Sequence, residues 1–346
     1  DIYVAIERTK IVYDFLVNLN DPDYLQDILF FSADVIHPDC ASLFKSSAFV
    51  FKLSEPGVRL YHNYFPHVGS YVSLGGINPL VGNIGIAAPI HLGFKTLYLF
   101  GLDNGYKHKG HHHSKLSSYY NNEESAGALG EMMYGDSLWQ REGNFGETII
   151  SNAMFDTSRW VIEQVLAANE DVSCFNCSDG VKIERAKAFP SADITLSIPV
   201  DKSALLGEIS TFCAPIPLSK QSFEPLLDIE FFNIFIDKMV VEWQQEFTSR
   251  NEINQLMLRN FGYLSQIAAT RQQHIAQVMI GSMNYVFTLL SSILYSFEGE
   301  KETLVLMQPA IGIWLEFLAK AKEMYPQALD SVDMIDDHQT MDLFKK

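Results

Sequence analysis

The first hundred residues alternate short apolar runs with segments of helical period. Residues 2–6 (IYVAI), 27–32 (DILFFS), 48–53 (AFVFKL) and 96–100 (TLYLF) are rich in β-branched and aromatic side chains and too short for helices, so each predicts a strand. Between them, residues 10–19 are helical by period, and His37-Pro38 opens a short helix reaching residue 44. Asn78-Pro79 starts a longer helix, with Asn as its cap and Pro in its first turn. Leu80, Ile84 and Ala88 share one face of it, Pro89 is expected to kink it late, and Gly93 ends it. Strands alternating with helices predict an α/β fold with a Rossmann-like, doubly wound, mostly parallel sheet.

Residues 104–147 have little periodicity and are rich in Gly, Asn, Ser and Tyr; a loop this long inside a domain predicts function. A helix over 149–168, a strand over 171–176 and the turn Ser178-Asp179-Gly180 follow. Residues 188–218 carry four prolines without a period and read as linker. The pattern then changes to helices over 231–245, 251–275, 279–297 and 304–324. The expected organisation is an α/β domain over 1–190, a linker over 191–220, an α-helical domain over 221–329 and an acidic, flexible tail over 330–346.

Composition narrows the function classes. The chain of 346 residues is 47% hydrophobic and carries a net charge of −17, which disfavours a general nucleic-acid surface. No run of eighteen apolar residues is present, so no membrane span is expected. Four cysteines (Cys40, Cys174, Cys177, Cys213) in a chain this long suggest a reducing, cytoplasmic setting, with Cys174 and Cys177 as structural thiols. The chain opens within a strand and without Met, which reads as a fragment lacking an N-terminal part.

Candidate chemistry concentrates after the strand 96–100. Asp103 stands at its carboxyl edge, where α/β folds place ligands, and is a candidate general base. His108, His111, His112 and His113 follow; one of them is a candidate base, and no thiolates accompany them to make a zinc site. Gly75-Gly76 ahead of the Asn78 helix start is an anion-binding candidate. Asp21-Pro22-Asp23 has the D-x-D form of metal-dependent sugar transferases, but cap, first-turn proline and dipole-complementing carboxylate describe it better. GxGxxG, GxxxxGK[ST] and GxSxG patterns are absent.

Six segments carry a resemblance. Residues 3–14 (YVAIERTKIVYD), Val35-Ile36-His37-Pro38, residues 97–105 (LYLFGLDNG), the run 113–119, Gly143-Asn144-Phe145-Gly146 and residues 175–180 (FNCSDG) resemble, in the same order, the motility-associated factor (Maf) flagellin glycosyltransferases. The helical region is similar in architecture to their C-terminal domain. The resemblance implies a cytoplasmic transferase, sialyltransferase-like and without a metal or cofactor. It would move pseudaminic or legionaminic acid from a CMP-activated donor to Ser or Thr of flagellin. It also implies Asp103 or His113 as the base, with Glu7, Gly76, Asn78, Asn83, Asn104, Ser114, Tyr119, Asn176 and Asp179 binding the donor. The family's glycine-rich nucleotide motif, which precedes the Glu7-Arg8 strand, is not in this sequence. Two other readings remain. The central domain also resembles the 6-hydroxymethylpterin diphosphokinase-like group, which would require ATP and Mg²⁺. A non-catalytic flagellin-binding module would instead use Trp243, Phe247, Met257, Met279 and Met283 to grip an amphipathic helix.

Overall fold

The computed structural model describes residues 1–19, 21–53, 55–66, 71–107, 138–195, 199–213, 215 and 218–330. These form two compact units. One comprises Asp1–Lys52 and Tyr71–Ala214; the other comprises Leu53–Ser70 and Pro215–Ser331.

The first unit is Rossmann-like, with parallel sheets covered by helices. Strands β1 (Ile2–Ala5), β2 (Leu29–Ala33) and β3 (Ser46–Val50) pair in parallel in that order. β4 (Thr96–Leu99), β7 (Ser173–Asn176) and β8 (Ala186–Ala188) form a second parallel ladder. β5 (Trp139–Glu142) and β6 (Thr148–Ser151) form an antiparallel hairpin. The continuous apolar run of β2 reflects burial on both faces. Leu29, Phe31 and Ala33 enter one core, while Phe30 enters another, where it stacks on Phe44 at 4.8 Å.

Helix α3 (Val81–His91) joins these layers. Ile84, Ala87 and Ala88 pack with β2 and β3, whereas Ile86 and Ile90 pack with Leu99, Ile162 and Ile183. A helix buried on both sides must be apolar around most of its circumference. Its one buried amide, Asn83, is spent within the fold. Asn83 Oδ1 accepts from Leu80 N (3.0 Å) and from Ser158 Oγ (2.9 Å), and Nδ2 donates to Ser158 O (3.0 Å). Ser158 lies on α4 (Ala153–Ala167). The helix start therefore differs from the expected one: Leu80 takes the cap position, and Asn78-Pro79 stays outside the helix as a cis pair.

Two further differences have physical causes. Thr148–Ser151 pairs with β5 as a strand, and α4 begins only after Asn152, whose Oδ1 accepts from Phe155 N at 2.9 Å. In the stretch expected to be linker, α5 (Lys202–Phe212) buries Ile209 against Leu29, Phe31 and Val50, and Asp201 caps it at Ala204 N. The expectation at Asp21 holds, its carboxylate accepting from Asp23 N at 3.2 Å.

The second unit is helical: α2 (Pro56–Tyr64), the turn α6 (Lys220–Phe223), α7 (Ile229–Trp243), α8 (Arg250–Ala268), α9 (Gln273–Ser296) and α10 (Glu300–Met324). α2 falls within the expected α/β domain by sequence, yet Leu60 belongs to the helical core. Trp243, Phe247, Met257, Met279 and Met283 are all buried in that core, so the residues of the helix-gripping reading are packing residues. α9 and the segment Glu300–Gln327 are long and apolar enough to cross a membrane by length and composition alone. Both supply core residues, among them Phe287 and Leu294 from α9 and Trp314 and Leu318 from α10.

Replacing Asn83 with Ala strands Leu80 N and the Ser158 hydroxyl at a buried junction. The expected loss is about 2–3 kcal/mol of unfolding free energy by denaturant titration, against under about 0.5 kcal/mol for an exposed control such as Glu208→Ala.

Candidate active site at the carboxyl ends of the strands

Parallel strands deliver their carboxyl ends to one edge, and the residues just beyond them build the sites of α/β proteins. Beyond β1 lies a cleft of 510 Å³, walled by Glu7 and Arg8 after β1, by Val35 after β2, by Lys52, and by Asn78, Pro79 and Leu80 leading into α3. The first turn of α3 opens toward it, so the positive end of a helix dipole joins two cationic side chains. Glu7 Oε1 accepts from Arg8 N at 3.0 Å. Such a cleft suits a ligand with an anionic group beside hydroxyls.

Gly76 belongs elsewhere. It lines an apolar groove of 640 Å³ between α3 and α4, with Trp160 and Val165. Its φ is +73°, and a Cβ there would lie 2.3 Å from Val165 Cγ2. Helix packing explains this glycine without a bound anion.

The ends of β4 and β7 bring together three of the segments that carry the family resemblance. After β4 the chain turns through Gly101 and Asn104, both at positive φ. Leu102 N donates to Ser178 Oγ (3.0 Å), and Val181 N donates to Asp103 O (2.8 Å). A Cβ on Gly180 would stand 2.3 Å from Asp103 Cα, so only glycine permits this approach. The hairpin joins at its tip, where Asn144 Nδ2 donates to Asn176 O and Ser178 O, both at 2.9 Å, and Asn144 N donates to Gly180 O at 2.8 Å. Asn176 Oδ1 accepts from Ser178 N at 3.0 Å, fixing the loop that carries Asp179. Asn104 O accepts from Ser151 Oγ at 3.0 Å.

Asn104, Asn144, Asn152 and Asn176 are all buried at these strand ends. The Nδ2 groups of Asn104, Asn152 and Asn176 and the Oδ1 of Asn144 have no protein partner among the described residues. An unpaired buried polar group costs about 1–3 kcal/mol, so this arrangement is not one selected for stability alone.

Asp103 is exposed on the strand-end loop, with the protein around it displacing part of its water. Desolvation, reinforced by the charge of Asp179, raises its pKa above the usual aspartate value, and Lys107 opposes the shift. Lys107 Nζ bridges Asp179 and Glu147, each at 2.5 Å, and those hydrogen bonds raise its own pKa. With three carboxylates around one ammonium, the described residues around Asp103 carry a net negative charge. It favours a neutral hydroxyl over an anion.

Of the residues singled out in the sequence, Glu7 and Asn78 meet in the β1 cleft, while Asp103, Asn104, Asn176 and Asp179 meet at the β4–β7 edge. Asn83 holds α3 to α4, and Gly76 packs on α4. His113, Ser114 and Tyr119 lie outside the described residues. Arg8, Lys52, Lys107, Asn144 and Asn152 escaped sequence reasoning. Arg8 and Asn144 stood within family-like segments, and Asn152 directly precedes α4 as its cap, but nothing local pointed to Lys52 and Lys107.

The raised pKa of Asp103 has a sign for stability. The fold holds the protonated form more tightly than the unfolded chain does, so this group's contribution is fully present below the unfolded pKa and is lost as pH rises through the folded one. Asp103→Asn is therefore expected to match or exceed the parent in thermal stability at pH 7. The gap should close toward pH 3, as followed by melting temperature across that range.

No family model matches the chain, and no curated protein matches it. Among solved structures it superposes on the MAf glycosyltransferase from Magnetospirillum magneticum AMB-1 with a TM-score of 0.66 and 19% sequence identity. The match covers 100% of this chain and 51% of that one, so the chain spans about half the length of the protein it resembles. Identity at that level speaks for architecture: the chain has the fold of the corresponding half of a MAf glycosyltransferase.

Proposed function

We propose that this chain is the catalytic portion of a glycosyltransferase, and more finely that it moves a nonulosonic acid from a CMP-activated donor to Ser or Thr hydroxyls of flagellin in the cytoplasm. The observation that carries the reading is the convergence of residues 97–105, 143–146 and 175–180 around Asp103, on a fold shared with a MAf glycosyltransferase. Two chemically different neighbourhoods divide the work. The β1 cleft takes the nucleotide, with Arg8, Lys52 and the start of α3 toward its phosphate and Glu7 toward the ribose hydroxyls. The net-negative β4–β7 edge takes the neutral acceptor hydroxyl.

In the reaction the hydroxyl oxygen forms a bond to the anomeric carbon while the bond from that carbon to the phosphate oxygen breaks. CMP leaves with the electron pair, and the hydroxyl proton passes to Asp103, or to His113. A carboxylate whose pKa is raised is the better base, and its charge also favours the oxocarbenium character of the transition state. The reading needs no metal and no cofactor beyond the activated sugar.

Intact-mass assay of flagellin with a CMP-nonulosonic acid tests this. Asp103→Asn is expected to lower kcat/KM by about 100-fold or more while CMP still raises the melting temperature. Near-parental turnover would remove Asp103 from the mechanism, and stabilisation by ATP with Mg²⁺ in place of CMP would turn the reading toward diphosphate transfer. The same charges predict the pH profile. Activity should rise with pH through a pKa above the ordinary aspartate range. Lys107→Met should move that limb to higher pH, and Asp179→Asn should move it lower.

A further inference from the structure

The β5–β6 hairpin reaches the strand-end site at its tip but is anchored at its base. A two-stranded ribbon is marginal by itself. Beyond its own ladder, this one makes single bridges at Ile150 with Tyr106 and at Gly143 with Val181. At its base the polar attachment is to α4. The Asp156 carboxylate, 17% exposed in the first turn of that helix, accepts from Trp139 Nε1 at 3.1 Å and from Arg141 Nε at 3.0 Å to each oxygen. Arg141 Nη2 makes a further bond to it. Arg159 Nε adds a contact at 3.3 Å from the same helix, and the Arg141 hydrogen bonds hold the Asp156 pKa below the usual aspartate value.

Arg141 and Trp139 both stand on β5, and Asn144 follows Arg141 by three residues along one short strand and turn. Glu147, which holds Lys107 beside Asp179, lies on the returning side of the same turn. We propose that Asp156 is a positioning residue for the active site. By fixing β5 through Arg141 and Trp139, it sets the tip at which Asn144 clamps Asn176 and Ser178 and at which Glu147 holds Lys107. It touches no substrate. Its role rests on the reading of this edge as the transfer site, but its mechanical part does not. A displacement of about 1 Å at such a tip is enough to cost reaction rate.

The test separates the two parts. Amide hydrogen exchange is measured on the parent, Asp156→Ala, the near-isosteric Asp156→Asn, and Trp139→Phe, which removes a single donor. Asp156→Ala is expected to speed exchange of the Gly143 and Asn144 amides by about tenfold or more, with the α3 amides of Ala87 and Ala88 unchanged. Asp156→Asn should fall between, and Trp139→Phe should stay near the parent. Sugar transfer should drop about 10- to 100-fold in kcat for Asp156→Ala with KM for the CMP donor little changed. Unchanged exchange at the tip, or a uniform rise across the whole α/β unit, overturns the proposal. Faster tip exchange with full transfer also overturns it, since the hairpin would then move without consequence. Faster tip exchange in a protein whose parent transfers no sugar leaves the anchor established and removes the glycosyltransferase reading instead.

Discussion

Everything in the α/β unit depends on burying α3 from both sides. Ile84, Ala87 and Ala88 close one core and Ile86 and Ile90 close another, so a single apolar helix supplies the contact that neither three-stranded ladder could make alone. Each fully buried aliphatic side chain of this kind contributes about 1.5–3 kcal/mol. Apolar contact is non-directional, however, and does not fix rotation or depth. Asn83 does that, by joining the start of α3 to Ser158 on α4 through bonds of fixed direction. The same constraint locates the site. The helix start that Asn83 secures forms a wall of the β1 cleft, and the chain leaving the helix runs directly into β4 and Asp103.

The strand ends use a different chemistry from the core. Backbone groups leaving a parallel ladder lose their partners within a residue or two and must find others. Here side-chain amides and hydroxyls take that part: Asn144 on two carbonyls, Asn176 on Ser178 N, Ser178 on Leu102 N, Ser151 on Asn104 O. Asparagine can do this without a buried charge. Charge is kept to the surface group of Asp103, Asp179, Glu147 and Lys107, where solvent and mutual pairing limit its cost.

Local pattern made much of this legible. The run DILFFS, too short and too β-branched or aromatic for a helix, marked a strand buried on both faces, and the four helices after residue 220 followed their apolar period. Asp103 was legible because an apolar strand ended just before it. What escaped depended on partners distant in sequence. Thr148–Ser151 is largely β-branched, but it lies directly ahead of α4 and merged with that helix in sequence; pairing with β5 is what separates it. Pro56–Tyr64 sits among α/β segments by sequence and belongs to the helical core through Leu60. Asn83 stood as a donor ligand through the family resemblance alone; the hydroxyl that engages it is seventy-five residues away. Gly76 misled for the same reason, its constraint being Val165 on another helix.

The charge layout argues for one division of labour over its reverse. A nucleotide sugar brings phosphate and carboxylate, and beside Asp103, Asp179 and Glu147 those anions would meet net repulsion that one lysine, already shared between two carboxylates, does not cancel. Among the residues lining the β1 cleft the charged ones are Arg8, Lys52 and Glu7, and with the positive end of α3 the balance there leans the other way. A hydroxyl has no charge to repel, and it gains from a carboxylate that holds its proton more tightly than an ordinary aspartate does. On the transferase reading proposed above, the acceptor is the partner suited to the Asp103 edge. The asparagine clamp that fixes this edge to the hairpin would, on the same reading, govern the angle at which that hydroxyl is presented, a geometric control that charge alone cannot exert.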